Sequence, residues 1–184
     1  MKARQSNSVR IIGGEFRRRI LRFPDQPGLR PTPDRVRETL FNWLGQDLAG
    51  WACLDAFAGS GALGFEAASR GARRVLMLER DGRAVAGLRA QARALGATSV
   101  EVRQMDALAF LAGAGENFDL ILLDPPFDGD SLMPALQRAA TRLNPGGKIY
   151  AESPAPLVAT GYEILRQGRA GLSHFCLLEP VCTA

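Results

Sequence analysis

The stretch FDLILLDPPF, Phe118–Phe127, decides how this chain can fold. Its first six residues are almost all apolar, which predicts a strand buried on both faces in a parallel sheet. The two prolines that follow remove backbone donors and fix φ, so the chain must leave the sheet in a stiff turn. Asp124 and the carbonyl of Pro125 then point outward at the carboxyl end of a strand, where open α/β sheets bind ligands.

This turn carries groups that suit a planar heterocycle with an exocyclic amine. The Asp124 carboxylate and the Pro125 carbonyl supply two acceptors for the two N–H groups of such an amine. Phe127 supplies a flat apolar face on which the ring can stack. The alternative interpretation is a tight turn in which Asp124 only caps a helix.

A glycine-rich loop, DAFAGSGALG at Asp55–Gly64, is predicted to join the first strand of the sheet to a helix. Gly59, Gly61 and Gly64 match the G-x-G-x-x-G pattern of nucleotide-binding loops. Glycines at such a turn let a ligand approach the backbone where side chains would block it. Tight packing of the loop alone is the alternative explanation.

Three acids are expected around this loop because each follows a predicted strand. Asp55 is placed to meet a cationic amino group, and Glu79 to accept both hydroxyls of a ribose. Asp106 is placed to accept from an adenine amine, with Met105 packing on the ring. For each acid the alternative role is a helix N-cap.

The order of elements predicts an α/β fold. Strands are expected near 51–57, 73–79, 99–103, 118–123 and 146–152, and helices near 60–70, 82–95, 106–112 and 131–142. This alternation predicts a parallel sheet covered by helices on both faces. A final antiparallel hairpin, 161–178, is expected to close one edge, and the segment before it is too short for a helix.

The first 45 residues are predicted to form a small extension. Val9–Gly14 and Arg19–Phe23 form its hairpin, and residues 24–31 form a loop. Thr32 is expected to be the hydroxyl N-cap of a helix that has Pro33 at its first position and an acid, Asp34, in its first turn.

Positive charge is concentrated in this extension. Residues 1–40 hold ten of the 23 lysines and arginines and four of the 19 acids, a net charge of +6, whereas the remainder carries −2. Nearly all of the basic residues are arginines, which suit forked contacts with phosphate. The extension therefore predicts binding to nucleic acid, and a solvated basic face is the alternative.

Composition excludes several other classes. Hydrophobic content of 46% and charged content of 23% are ordinary for a globular protein, and no apolar run approaches the length of a membrane helix. Three cysteines without paired spacing indicate neither a disulfide framework nor a zinc site, so no metal is expected. Without a secretory signal, the expected location is cytoplasmic.

These motifs together resemble class I S-adenosylmethionine-dependent methyltransferases, and the Asp-Pro-Pro-Phe turn resembles enzymes that methylate exocyclic amines of bases. Three segments are more specific: RIIGG at Arg10–Gly14, RPTPDRVRETLFNWL at Arg30–Leu44 and DAFAGSGALGFEA at Asp55–Ala67. They are similar to the bacterial RsmD family, which methylates N2 of a guanine in 16S ribosomal RNA.

The resemblance implies a Rossmann-like class I methyltransferase domain over 46–184, with a mostly parallel seven-stranded sheet and an antiparallel terminal hairpin, preceded by the basic extension over 1–45. It implies a transferase that uses S-adenosylmethionine to methylate rRNA, within the 30S subunit or an assembly intermediate, as a monomer. The expected catalytic residues are Asp124, Pro125, Pro126 and Phe127. The expected cofactor contacts are Asp55, Phe57, Ala58, Gly59, Ser60, Gly61, Glu79, Arg80, Met105, Asp106 and Asp124. The expected RNA contacts are Arg10, Arg17, Arg18, Arg19, Arg30, Thr32 and Arg35.

Three other functions use parts of the same sequence. An NAD-linked oxidoreductase would use the glycine loop but gives the Asp-Pro-Pro-Phe turn no role. A non-catalytic RNA-binding module would need none of the acids. An amino-methyltransferase for DNA adenine or cytosine would share the chemistry, and the residues alone leave the target base open.

Overall fold

The computed structural model describes residues 7–23, 32–127 and 129–181. The strands are β1 (Ser8–Arg10), β2 (Ile20–Arg22), β3 (Ala52–Asp55), β4 (Arg74–Glu79), β5 (Val100–Gln104), β6 (Phe118–Leu123), β7 (Leu143–Ser153), β8 (Tyr162–Ala170) and β9 (Ser173–Pro180). The helices are α1 (Asp34–Leu44), α2 (Ala62–Ser69), α3 (Gly82–Leu95), α4 (Ala107–Ala112) and α5 (Leu132–Ala139), the last continued by a 3₁₀ turn over Ala140–Arg142.

Seven strands form one sheet in the order β5-β4-β3-β6-β7-β9-β8. The pairs from β5 to β7 are parallel, and β9 is antiparallel to both β7 and β8. The carboxyl ends of five adjacent strands therefore meet along one side of the sheet, which we call the carboxyl edge. The mostly parallel sheet and its antiparallel terminal hairpin are confirmed.

Two apolar clusters cover the faces of this sheet, because side chains alternate along each strand. One cluster joins the N-terminal hairpin, α1, α2 and α3 to the sheet, and the other joins α4 and α5 to it. Helices on both faces were expected from the alternating elements. Residues 154–161, between β7 and β8, form no helix, as the short length of this segment predicts.

The N-terminal extension forms the predicted hairpin, in which β1 and β2 pair antiparallel. Helix α1 begins near the expected residue and has Asp34 in its first turn, but the prediction of Thr32 as its N-cap was wrong. Pro33 occupies the N-cap position without a side-chain cap, and the Thr32 hydroxyl instead donates to Asp124 Oδ2 at 3.0 Å. The predicted loop at 24–31, with Arg30, lies outside the described residues. The division at residue 45 stays a prediction.

A buried ionic cluster, Arg37–Glu66–Arg70, attaches this extension to the sheet. The Glu66 carboxylate pairs with both guanidinium groups at 2.9 Å, and the side chains of Arg37 and Glu66 have no exposed surface. Glu66 also accepts from the backbone N–H groups of Ile12 at 3.0 Å and Gly13 at 2.9 Å. One buried carboxylate on α2 thus holds a strand end and a helix of the extension together.

Arg37 is one of the ten basic residues from which binding of the extension to nucleic acid is predicted, yet its side chain is fully buried. Its remaining donors go to Asp34 Oδ1 at 2.6 Å and to the backbone carbonyls of Arg10 and Thr32 at 2.9 and 3.1 Å. A fully buried guanidinium with four of its five N–H donors bonded inside the protein is not available to phosphate.

Replacing Arg37 by methionine should lower the free energy of unfolding by about 3 kcal/mol, because Glu66 keeps only one of its two buried cations and the carbonyls of Arg10 and Thr32 lose their donor. Urea denaturation measures this change. Arg35→Met, an exposed position on the same helix, is the matched control and should change stability by less than about 0.5 kcal/mol. Equal effects of the two substitutions would contradict the role of the cluster.

Candidate active site at the carboxyl edge of the sheet

Each of five adjacent strands brings one acid to the carboxyl edge. In spatial order from β5 to β7 these acids are Asp106, Glu79, Asp55, Asp124 and Glu152. A parallel sheet produces such a row without distant packing, because all five strands end on the same side. We call these residues the acid row.

Asp124 follows β6 at the centre of the edge and is half-buried. Burial, with the nearby Glu152 and Asp55 carboxylates adding to it, raises the pKa of Asp124 well above its usual value, and the hydrogen bond from Thr32 opposes this rise. The alternative of a helix cap does not apply, because the next helix, α5, has Ser131 at its N-cap position. The Asp124 carboxyl therefore lies at the carboxyl edge without capping a helix and can accept a hydrogen bond from a ligand.

The rest of the proline turn offers a mixed surface beside Asp124. Pro125 is buried and Pro126 is exposed, and the Phe127 side chain is 46% exposed. An aromatic ring left half in solvent next to a buried carboxyl suits the stacking of a planar ligand.

The glycine loop is tight, and two different constraints, backbone conformation and close packing, require glycine in it. Gly59 and Gly61 have φ of 48° and 79°, in the left-handed region. A Cβ on Gly61 would lie 2.7 Å from the Phe65 ring, and one on Gly64 would lie 2.5 Å from Met77 Cε. Close packing, the alternative explanation, therefore accounts for Gly61 and Gly64. Gly59 differs from them, because its backbone N–H donates to the carboxylate of Glu79.

Asp55 is 1% exposed, and its Oδ2 accepts from the backbone N–H of Gly64 at 3.0 Å. Burial raises the pKa of Asp55 to about 7, and the neighbouring Glu79 adds to the rise, whereas backbone hydrogen bonds from Gly64 and Phe57 lower it. A cationic group bound beside this carboxyl would favour its charged form.

Glu79 and Asp106 are more open than Asp55. Glu79 accepts from the backbone N–H groups of Gly59 and Asp81, at 3.0 and 2.9 Å, and each of its oxygens retains acceptor capacity. Asp106 caps α4 by accepting from Ala109 at 2.9 Å, as its alternative role required. Its other oxygen lies 3.9 Å from Arg80.

The remaining expected cofactor contacts surround these acids. Met105 is 40% exposed and lies between β5 and Asp106. Phe57 is half-buried, whereas Ala58 and Ser60 are buried, and the Ser60 hydroxyl accepts from Ala62 at 3.3 Å. The loop and strands β3 to β5 thus bring all of these residues to one half of the carboxyl edge.

Sequence reasoning missed Glu152 on β7. It is 4% exposed and accepts from the hydroxyls of Tyr150 at 2.7 Å and Ser173 at 2.8 Å. The sequence offered only part of the signal, because Glu152 ends a predicted strand but its place beside Asp124 depends on the strand order.

The expected RNA contacts separate into two groups. Arg10 and Arg35 are exposed near the start of α1, which Thr32 connects to Asp124. Arg17, Arg18 and Arg19 are exposed on the turn of the N-terminal hairpin, which contacts Ser69 and Ala94 near the last residues of α2 and α3. Because α2 and α3 run back from the carboxyl edge, their last residues lie at the opposite edge of the sheet, and these three arginines are therefore remote from Phe127.

Two negative observations complete the description. In the parts of the chain that the structure describes, no group of three or more His, Cys, Asp or Glu side chains is arranged to hold a metal ion. No helix among the same residues is long and apolar enough to cross a membrane.

Comparison with known proteins places the chain among methyltransferases. Residues 9–179 match the model of the family described as conserved hypothetical protein 95. The chain is 41% identical to ribosomal RNA small subunit methyltransferase D of Escherichia coli, over 95% of this chain and 91% of that protein. It is 38% identical to the protein of the same name from Haemophilus influenzae, over 93% of each chain. A solved structure of a putative methyltransferase from Escherichia coli superposes with a TM-score of 0.84 at 38% identity, covering 95% and 98% of the two chains.

The raised pKa of Asp55 predicts a pH-dependent stability. The folded chain holds this proton up to about pH 7, whereas an unfolded chain releases it near pH 4. The stability contributed by the protonated carboxyl is therefore complete below about pH 4 and is lost as pH rises to about 7, with a slope of at most roughly 1.4 kcal/mol per pH unit.

Asp55→Asn should remove this component. Melting temperatures between pH 4 and 8 should fall less steeply for the variant than for the unchanged protein. Parallel curves would show that Asp55 does not titrate in this range.

Proposed function

The chain belongs to the RsmD family, that of ribosomal RNA small subunit methyltransferase D, and we propose that it methylates the exocyclic N2 amine of a guanine in 16S ribosomal RNA. It is an S-adenosylmethionine-dependent methyltransferase that acts on ribosomal RNA. The choice of an exocyclic amine is supported by one observation above all, the half-buried Asp124 beside the exposed Phe127 ring at the carboxyl edge, and the choice of guanine follows from the family. We place the reaction in the cytoplasm, on the 30S subunit or an assembly intermediate, with a monomeric enzyme.

The residues around the glycine loop fit S-adenosylmethionine. Asp55 offers a buried carboxyl to the ammonium of the methionine part, and Glu79 keeps acceptor capacity for the ribose hydroxyls. Asp106 has one oxygen that does not cap α4, and the half-exposed Met105 offers an apolar surface for adenine. When bound there, the cofactor supplies a methyl group on a sulfonium, so no residue is needed to expel the leaving group.

Asp124 acts on the nucleophile, whose lone pair is otherwise delocalised into the base. Its carboxylate and the carbonyl of Pro125 accept the two N–H groups of the amine, which favours a pyramidal nitrogen with its lone pair free for attack. Asp124 then stabilises the positive charge that develops on that nitrogen. Pro126 fixes the turn that holds these two acceptors.

Phe127 and Thr32 complete the arrangement. The Phe127 ring stacks on the flipped-out base, a contact typically worth about 1–3 kcal/mol. The Thr32 hydroxyl donates to Asp124 Oδ2 at 3.0 Å. Thr32 therefore positions the catalytic carboxylate and leaves its other oxygen for the amine, which replaces the RNA contact expected of it.

The rival functions leave parts of this site unexplained. An NAD-linked oxidoreductase has no use for Asp124 and Phe127 and conflicts with the methyltransferase family to which the chain belongs. A non-catalytic RNA-binding module gives no reason to bury the carboxyls of Asp55 and Asp124. Methylation of adenine or cytosine in DNA remains the alternative that the assay must separate.

Transfer of tritiated methyl from S-adenosylmethionine tests the proposal on naked 16S rRNA, on 30S subunits from cells that lack the enzyme, and on DNA. Label should enter RNA only and appear as N2-methylguanosine after digestion. Asp124→Asn should lower the rate about 100-fold, as for loss of one preorganised electrostatic partner, and should lower the cofactor affinity measured by calorimetry much less. Label in DNA or in another nucleoside would overturn the proposed base.

The hairpin arginines should contribute RNA affinity without affecting chemistry, since they lie far from Asp124. Arg17→Gln combined with Arg18→Asn removes two charges, and asparagine tolerates the φ of 70° at position 18. Arg19 is kept because it donates to Ala94. The log–log salt dependence of RNA binding should flatten by roughly 0.7–0.9 for each lost phosphate contact.

The rate at saturating RNA should stay the same in this double variant. Arg138→Ala is the matched control, since it removes one arginine from α5 on the other face of the sheet, and it should leave the salt slope unchanged. An unaltered slope in the double variant would show that Arg17 and Arg18 contact solvent and not phosphate.

A further inference from the structure

Glu152 lies directly beside Asp124 at the carboxyl edge. Parallel pairing of β6 with β7 sets Leu122 opposite Tyr150 and Leu123 opposite Ala151, so Asp124 and Glu152 follow as the next neighbours. Leu122 and Tyr150 belong to the same core cluster. Since side chains alternate along a strand, Asp124 and Glu152 point to that same face.

The surroundings of Glu152 differ from those of a structural buried acid. Glu66 in this same protein shows what such an acid receives, namely two arginines and two backbone N–H groups. Glu152 is almost as buried, yet its described partners are the hydroxyls of Tyr150 and Ser173, and no lysine or arginine among the described residues forms an ion pair with it. Two neutral donors leave acceptor capacity on both carboxylate oxygens.

Two neighbouring carboxyls without a cation form an unfavourable arrangement in the free protein. Burial raises the pKa of Glu152, and the proximity of Glu152 adds to the raised pKa of Asp124. A ligand that brings N–H donors to both carboxylates would relieve this repulsion and the loss of hydration. The arrangement therefore suits a ligand with two adjacent donors.

Among the bases with an exocyclic amine, guanine alone has a donor next to that amine. Its Watson–Crick edge presents the N2 amine beside N1–H, whereas adenine and cytosine present a ring nitrogen that is an acceptor beside the amine. A carboxylate next to Asp124 therefore attracts guanine and repels the other two.

On the premise of the proposed function, we propose that Glu152 is the specificity-determining residue, whose carboxylate accepts N1–H of the guanine while Asp124 accepts from its N2 amine. Tyr150 and Ser173 hold the Glu152 carboxylate in place with their hydroxyl groups. The strand register fixes the spacing of the two acceptors, so the choice of base is built into the sheet.

RNA substrates that carry 2-aminopurine in place of the target guanine test this proposal. This base keeps the C2 amine but has an acceptor at N1. The unchanged enzyme should prefer guanine over 2-aminopurine by roughly 100-fold or more in kcat/KM. In Glu152→Gln, whose amide can donate to N1, the preference should fall at least tenfold, because kcat/KM falls for guanine and rises for 2-aminopurine.

Glu163→Gln is the matched control, since it makes the same substitution at an exposed acid on β8, and it should preserve the preference. If Glu152 were only structural, Glu152→Gln would lower kcat/KM equally for both substrates and leave their ratio unchanged. That result would overturn the inference. If that variant does not fold, equal use of both bases by the unchanged enzyme overturns it as well. Failure of the unchanged enzyme to methylate guanine in RNA would instead refute the proposed function, and the inference with it.

Discussion

The buried pairing of Arg37 with Glu66 is the interaction on which the rest of the arrangement depends. Glu66 lies on α2, directly after the glycine loop, and it binds both a strand end and a helix of the N-terminal extension. Arg37 in turn holds the Thr32 carbonyl, and Thr32 donates to Asp124. A charge pair that is far from solvent therefore connects the segment most typical of the family to Asp124, the carboxylate of the Asp-Pro-Pro-Phe turn.

The second constraint is topological. Five neighbouring strands end on one side of the sheet, and each contributes an acid there. The acids on β3 to β5 face one half of the edge, which suits the cofactor, and those on β6 and β7 face the other half, which suits the base. Division of the two ligands between adjacent strands requires no second domain, which agrees with the small size of the chain.

Most of the fold could be predicted from the sequence, and the failures have physical causes. Alternating apolar strands and helices of ordinary length identify β3 to β7, and the Asp-Pro-Pro-Phe turn identifies the edge. Thr32 was misassigned because a hydroxyl before a proline resembles a helix cap, whereas its partner lies 92 residues away in sequence. Arg37 looked like any surface arginine, because its burial depends on Glu66, which no local pattern connects to it. Glu152 was missed because an acid in an apolar strand becomes informative only once the strand order is known.

The acid row also imposes an order on the ligands. RNA is a polyanion, and an edge lined by carboxyls repels it while the site holds no other charge. A cationic methyl donor held by the residues of β3 to β5 would offset part of that charge, so electrostatics favour an encounter in which the methyl donor is bound before the RNA arrives. Transfer of the methyl group would remove that positive charge and restore the negative potential of the edge. The same carboxyls that arrange the reactants thus favour the departure of the methylated RNA.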